Sequence, residues 1–420
     1  LAPFSCNSKV SVHTQQKTAN TGLFSPAVLW SFFIFLTHLA GFMSLMIWSI
    51  LYDYREYTLS VTVPDALTIL TMYCTCFASL VNGAVFNRRR MEILMMNFTA
   101  IDQILLQENC DRVYRKTRQI LLLELSLLVS LLIGFYCYHV YVWTYGTSYI
   151  FLIAKDLANF SNMIMVIQYI NIMQILRHRF QILNQQLAKS CDSKSHISEH
   201  SLIKYRSGTN HPNSKTKQTA NTVHNLTETP IIQNYILSEI CVPMSNKRPE
   251  TVSRIHTFRQ TCSDLYDITE SVNRIYGYQI TLELAYNFVS LVSYLYYALE
   301  VLSNVRRTGD RKLRGEESIM LEVASSLCWV ALNLIRILSI TASCFAAGDE
   351  ARRTGTVVHK LLLRPTLLGD TLTELQLFSI QLLSNKVEFS AGGFFPVNLS
   401  LVYSMVGAAT TYIIILLQVK

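Results

Sequence analysis

The chain has 420 residues, half of them hydrophobic and 15% charged, with a formal net charge of +8. An ordinary soluble domain carries about a quarter of its residues as charges, so this balance excludes that class. The positive excess fits loops lying beside an anionic membrane leaflet rather than a nucleic-acid-binding face.

Seven stretches exceed the length of about 20 residues that a bilayer-spanning helix needs. They lie near 28–52, 62–86, 119–144, 147–176, 277–303, 318–346 and 396–418. Residues 1–27 read as an N-terminal tail, and because the chain starts at Leu1 rather than Met, a few residues are expected to precede it. The first span is too long for a signal-peptide core and lacks a small-residue cleavage site, so it is expected to remain. After the second span, Met91, Leu94, Met95, Phe98, Ile101, Ile104 and Leu105 recur every three or four residues, which predicts a helical continuation over 88–118. Spans three and four are joined only by Tyr145 and Gly146, so they form an antiparallel hairpin.

Residues 190–255 lose all apolar periodicity, and Ser, Lys, Thr, Asn and His dominate. Such a segment buries too little surface to offset chain entropy and reads as a disordered loop. Residues 350–388 alternate apolar and polar positions at helical spacing, with Pro365 as a break. No internal repeat is visible, and 28–346 reads as one six-helix membrane bundle.

Basic residues orient the chain. The N-terminal tail holds 2 Lys/Arg, the second–third loop 7, the fourth–fifth loop 13 and the sixth–seventh loop 5. The opposite side holds 7, so the division is 27 against 7, or 14 against 7 without the long fourth–fifth loop. The N-terminus is therefore expected in the cytoplasm and, after seven crossings, the C-terminus outside. Under this topology none of the sequons at Asn97, Asn159, Asn225 and Asn398 lies in an outside loop. None of the ten cysteines does either, which argues against a disulfide framework.

Ionisable groups within spans are costly and point to function. Lys155 and Asp156 lie about two turns into the fourth span. Being adjacent, they diverge by about 100° around the helix, and each needs its own partner or a wet cavity. Glu300 and Glu322 lie near span ends, where headgroups are within reach. Interfacial anchoring accounts for Trp143 and Tyr145, and Tyr141 fits it as well. Tyr138, Tyr297 and Trp329 sit deeper and need hydrogen-bond partners for their polar tips. A partly polar cavity lined by Tyr138, Lys155, Asp156, Tyr297 and Trp329 would suit a small organic ligand, and a filled bundle core is the alternative.

An enzyme is not supported. The sequence has no phosphate-cradling glycine loop, no His-Glu-x-x-His and no Gly-x-Ser-x-Gly, and nothing calls for a cofactor or a metal. A transporter would usually show repeats and broken helices near mid-membrane. A metabotropic receptor, the other competitor, is opposed by the charge count.

The last span carries a small and polar stripe. Reading at steps of three and four, Ser400, Ser404, Gly407, Thr411, Ile415 and Gln418 share one face, while Leu401, Met405, Ile414 and Leu417 are expected on the other side. Such a stripe means either close helix packing or a water-filled path.

Thr411-Tyr412, five aliphatic residues and Gln418 close this span, and the combination resembles the C-terminal signature of the insect gustatory receptors. That family normally completes the signature with Phe, where this chain has Val419. Phe389, Ala391, Gly393 and Phe395 resemble the family's approach to the last span. Trp329, Arg336 and the Ala-rich run ending in Glu350 and Thr354 are similar to its sixth span and exit. The motif match covers roughly the last quarter of the chain.

The resemblance implies an all-α membrane protein with seven transmembrane helices and the insect chemoreceptor channel fold. It further implies a ligand-gated cation channel in the plasma membrane of a chemosensory neuron, opened by a small-molecule tastant, either a sugar or a bitter plant metabolite. The partners would be permeating cations, the lipid bilayer and related subunits in a homotetramer or heterotetramer. Residues 347–395 would be the cytoplasmic region anchoring subunits together, and residues 396–420 the pore-lining helix. Ser400, Ser404, Gly407, Thr411, Ile415, Gln418 and Val419 would then line or border the pore, and Arg336 would play a structural part.

Overall fold

The computed structural model describes residues 26–51, 59–106, 110–143, 149–206, 250–308, 316–364 and 369–418. Nearly all of them are helical, as the apolar runs require, since only a helix satisfies every backbone group of a segment internally within lipid. In chain order the helices are α1 Pro26–Leu51, α2 Leu59–Val81, α3 Arg88–Leu106, α4 Cys110–Trp143, α5 Tyr149–Arg206, α6 Glu250–Thr308, α7 Glu316–Leu362, α8 Gly369–Ser384 and α9 Leu399–Gln418. One short hairpin, β1 Ser390–Ala391 against β2 Phe395–Pro396, pairs antiparallel just before α9.

Six of these helices contain stretches long and apolar enough to cross a membrane: Leu29–Leu51, Val61–Val81, Leu125–Val142, Ile150–Ser190, Ile319–Leu362 and Leu399–Gln418. The fifth span expected from sequence lies within α6, which is continuous over 277–303 but is not among the six. Glu283, Asn287 and the tyrosines at 294, 296 and 297 dilute its hydropathy. Helix is also described at both edges of the segment read as disordered, because α5 continues to Arg206 and α6 begins at Glu250. Residues 207–249 lie outside the described residues, as do the Tyr145-Gly146 turn and Pro365.

The chain divides into two units. The first comprises Leu1–Leu183, Thr261–Thr354 and Asn385–Lys420. Its core joins α1, α2, α5 and α6 through Leu45, Ile69, Met72, Tyr73, Ala158 and Tyr286, with Phe42, Met46, Phe77 and Phe151 packed around them. Outside that core, α1 exposes Trp30, Phe32, Phe33 and Leu36, the pattern of a surface facing an apolar solvent.

A π-helical turn, Asn82–Phe86, ends α2. Asn87 fixes the turn, donating from its side-chain amide to Asn82 Oδ1 at 2.8 Å and to the Ile275 carbonyl of α6 at 2.9 Å. Beyond the turn, α3 buries Leu94, Phe98, Ile101 and Leu105, four of the seven periodic positions read from sequence, while Met91 and Met95 are half-buried and Ile104 is exposed. It also buries Asp102, which pairs with Arg179 of α5. Burial pushes the Asp102 carboxyl above its usual range, and the Arg179 guanidinium pulls it back.

The second unit comprises Asn184–Gln260 and Gly355–Ser384. In it α8 buries Glu374, Leu375 and Phe378. Arg259 donates to Glu374 Oε1 at 2.9 Å, and Gln381 reaches the Arg259 carbonyl at 3.4 Å.

Candidate functional site

Two constellations in the first unit concentrate polar chemistry. The first surrounds Trp329 of α7, which is only 2% exposed. Tyr294 of α6 stacks on the indole with centroids 5.5 Å apart. Phe135 and His139 of α4 meet it edge-on at 5.0 and 5.2 Å, and Tyr136 lies tilted at 6.2 Å. These separations are those of favourable aromatic pairs.

His139 Nδ1 lies 3.1 Å from Asp156 Oδ2 of α5, both residues being buried. They are 17 positions apart across the α4–α5 turn, so their contact fits the expected hairpin. Lys155 turns the other way. Its ammonium lies 3.6 Å from Asp65 of α2 and 5.8 Å from the Tyr294 ring centroid. The two neighbouring charges therefore have separate partners, as their divergence around the helix requires.

Lys155, Asp156 and Trp329 are thus brought together, through Tyr294 and His139. Tyr297 is half-buried and donates to Glu322 Oε2 at 3.3 Å. Tyr138 is half-buried on α4 and about 100° around the helix from His139. His139, Phe135, Tyr136 and Tyr294 were not singled out from the sequence, and they join the cluster through the His139–Asp156 pair and their ring contacts with Trp329. Glu300, read as reaching headgroups, is only 7% exposed.

Among the described residues, three polar atoms in this cluster are buried without a hydrogen-bond partner, namely Trp329 Nε1, Tyr136 Oη and Asp156 Oδ1. Leaving such groups unpaired costs about 1–3 kcal/mol each, so a molecule that engages them is favoured.

Next to this cluster, Arg336 of α7 is 2% exposed and meets Glu283 of α6 at 3.5 Å. It also donates to Asn159 Oδ1 of α5 and lies over the Tyr286 ring at 5.9 Å. Asn287 donates to Glu283 Oε1 at 2.9 Å, and Asn333 to Ser290 at 2.9 Å. This network ties α5, α6 and α7 together through a charge that has no access to water. Asn159, Asn287 and Asn333, polar residues in the middle of apolar runs, were the available sequence signal for it.

The second constellation is α9. Ala409 and Ile413 are buried against Leu291 and Val292 of α6, with Leu416, Val330 and Leu334 packed beside them. With Ala409 set at 0° and about 100° per residue, Ile413 and Leu416 fall within about 40° of it. By the same measure Ser400, Ser404, Gly407, Thr411, Ile415 and Gln418 fall between about 160° and 240°. All six are exposed in the single chain, on the side turned away from α6. Of the four residues read as opposite the stripe, Leu401 and Met405 are half-buried and Leu417 is exposed, whereas Ile414 is exposed and at about 140° borders the stripe rather than opposing it. Asn398 caps the helix start, its Oδ1 accepting from the Leu401 N–H at 3.2 Å and from the Ser400 hydroxyl at 2.5 Å. Val419 lies outside the described residues.

Comparison with known proteins gives this arrangement a family. The family described as 7tm chemosensory receptor matches residues 1–420. Gustatory receptor 28a of Drosophila melanogaster is 24% identical over 352 residues, which is 80% of this chain and 72% of that protein. Gustatory receptor 28b of the same species is 34% identical over 148 residues, which is 35% of this chain and 30% of its own length. The gustatory receptor for bitter taste 66a, also from Drosophila melanogaster, is 26% identical over 39% of this chain and 30% of its own. Several of these matches therefore span less than half of the relative's length.

Among solved structures, the olfactory receptor OR5 of Machilis hrabei superposes with a TM-score of 0.59 at 12% identity. That match covers 97% of this chain and 93% of the receptor's. Its complex with eugenol superposes with a TM-score of 0.52 at 14% identity over 93% of this chain and 89% of that one. The chain belongs to the 7tm chemosensory receptor family and is a multi-pass membrane protein with the helical fold of the insect olfactory receptors.

Proposed function

We propose that the chain is a gustatory receptor acting as a ligand-gated, non-selective cation channel. The observation that carries this reading is α9, which turns a mainly small and polar stripe, interrupted by Ile415, away from the bundle that supports it. A helix at the centre of a four-fold assembly needs one apolar face for its own subunit and one polar face for water and ions. The four copies of α9 would supply the path, with Gln418 and Val419 near its narrowest point. The region 347–395 would hold the subunits together, with the N-terminus in the cytoplasm and the C-terminus outside.

The tastant would bind at the cluster of Trp329, Lys155, Asp156, Tyr297 and Tyr138, with Tyr294 and His139 completing it. That an olfactory receptor of the same fold is known in complex with eugenol, a small aromatic molecule, supports a site of this kind. Rings for stacking, combined with unpaired donors and an acceptor, suit either a sugar or a bitter plant metabolite. Binding would drive opening only through preference for the open arrangement. Raising the open fraction from 1% to 99% takes about 5.5 kcal/mol summed over the sites.

A panel of sugars and bitter compounds applied to an otherwise unresponsive cell expressing the chain tests this reading. The expected result is an inward current within milliseconds, carried by Na⁺ and K⁺ alike and insensitive to blockade of G-protein signalling. A response that appears only over seconds and vanishes with that blockade would replace the channel with a metabotropic receptor.

A further inference from the structure

The segment 387–397, between α8 and α9, is docked onto α6 by features that the gating mechanism above does not use. Phe389, Ala391 and Val397 are buried. Asn273 of α6 donates to the Glu388 carbonyl at 2.8 Å, while its side-chain oxygen accepts from the Ser390 N–H at 3.4 Å. One amide thus bridges two backbone groups of the segment, in the manner of an added strand neighbour.

One turn further along α6, Gly277 allows a close approach of two backbones. A Cβ at that position would lie 3.0 Å from the Gly392 nitrogen and 3.3 Å from its Cα. Gly392 and Gly393, with φ of 58° and 81°, make the tight turn that brings the hairpin there. The pairing is closed by the Val397 N–H bonding to the Phe389 carbonyl at 2.8 Å, one residue before Asn398 caps α9.

We infer that Asn273 and Gly277 form a clamp that makes the base of α9 move with α6, and that they are positioning residues for gating. Helix α6 also carries Tyr294 at the Trp329 cluster and, between the clamp and that cluster, the Leu291–Val292 contact with Ala409 and Ile413. It therefore holds α9 at two heights and carries part of the proposed ligand cluster. A shift of α6 is transmitted to the whole of α9 only while the lower attachment persists. Without the clamp, the upper contact alone would drag one end of the helix and leave its base behind.

The functional half of this inference rests on the channel reading, whereas the docking itself does not. Hydrogen exchange on the purified full chain reads the docking directly. Asn273→Ala and Gly277→Val are expected to speed exchange of the Ser390–Val397 amides at least tenfold. Ser271→Ala, whose hydroxyl bonds to the Asp267 carbonyl within its own helix, is expected to leave them unchanged.

In cells with equal surface labelling, the two clamp variants are expected to lower the maximal agonist-evoked current at least threefold. Asn273→Asp keeps the side-chain shape and the acceptor for the Ser390 N–H but loses the donor, and should fall between wild type and Asn273→Ala. Unchanged exchange in both clamp variants overturns the clamp. Faster exchange with an undiminished maximal current overturns its role in gating. A wild-type chain that passes no current counts against the channel, and the exchange difference then still decides the docking.

Discussion

Asp156 and Lys155 are neighbours in sequence and part company in space, and the difference in their surroundings assigns them different work. Lys155 is tied to Asp65 and Tyr294, whereas Asp156 faces His139 with one oxygen and leaves the other unpaired beside the Trp329 rings. Asp156 is therefore the group whose charge a tastant would meet. Asp156→Asn keeps the shape and removes that charge, and a charged hydrogen bond contributes about 1.5–3 kcal/mol. The half-maximal tastant concentration is expected to rise about tenfold or more, with surface expression kept. If substitutions at Asp156, Trp329, Tyr297, Tyr138 and Lys155 all leave the dose–response curve in place, the tastant binds elsewhere.

The sequence made the need for partners legible here, because a charge within an apolar run cannot remain alone. It did not reveal which partners. His139 meets Asp156 only through the fold of the α4–α5 hairpin, and the aromatic end of α4 reads alike whether its rings anchor at an interface or pack inward. Tyr138 was legible as deep, but depth does not tell which way a helix turns its side chains, and it is Tyr136 of the same helix that meets Trp329.

Helices are where sequence periodicity served best and where its limits were sharpest. Of the seven periodic positions in α3, Leu94, Phe98, Ile101 and Leu105 are buried as their spacing foretold, whereas Ile104 is exposed. The fifth span was legible as a continuous helix, yet its tyrosines, Asn287 and Glu283 serve an inward face that hydropathy alone scores as polar. In α9 the stripe from Ser400 to Gln418 was legible as a face, but not which side the bundle would claim. The burial of Ala409 and Ile413 settles that for one subunit, since the stripe lies on the far side of the helix from both.

If that far side lines water, cysteine at 411 or 418 should react with a charged thiol reagent applied from outside, and modification should cut an agonist-evoked current at least by half. Cysteine at 417, exposed and about 100° round the helix from its neighbour at 418, should react without comparable loss. Block at 417 with none at 411 or 418 would move the pore to another face of α9.

At the scale of the molecule, the question is which end of this bundle faces outward. The Lys/Arg distribution of 27 against 7 would put the N-terminal tail, the loop after α2 and the segment between α7 and α9 on one side. Three consecutive arginines, Arg88 to Arg90, follow the turn that ends α2, where an anionic cytoplasmic leaflet would attract them. With seven crossings the C-terminus would then be outside, opposite to its place in a G-protein-coupled receptor. An epitope tag after Lys420 is therefore expected to stain intact cells at a level close to that of permeabilised ones. A tag before the first helix should stain only after permeabilisation, and together the two give the parity of the crossings. Staining of both termini from one side would mean an even number of spans, removing α6 or another helix from the membrane. The reverse pattern would keep seven spans, invert the bundle and place the Trp329 cluster in its cytoplasmic half, out of direct reach of an external tastant.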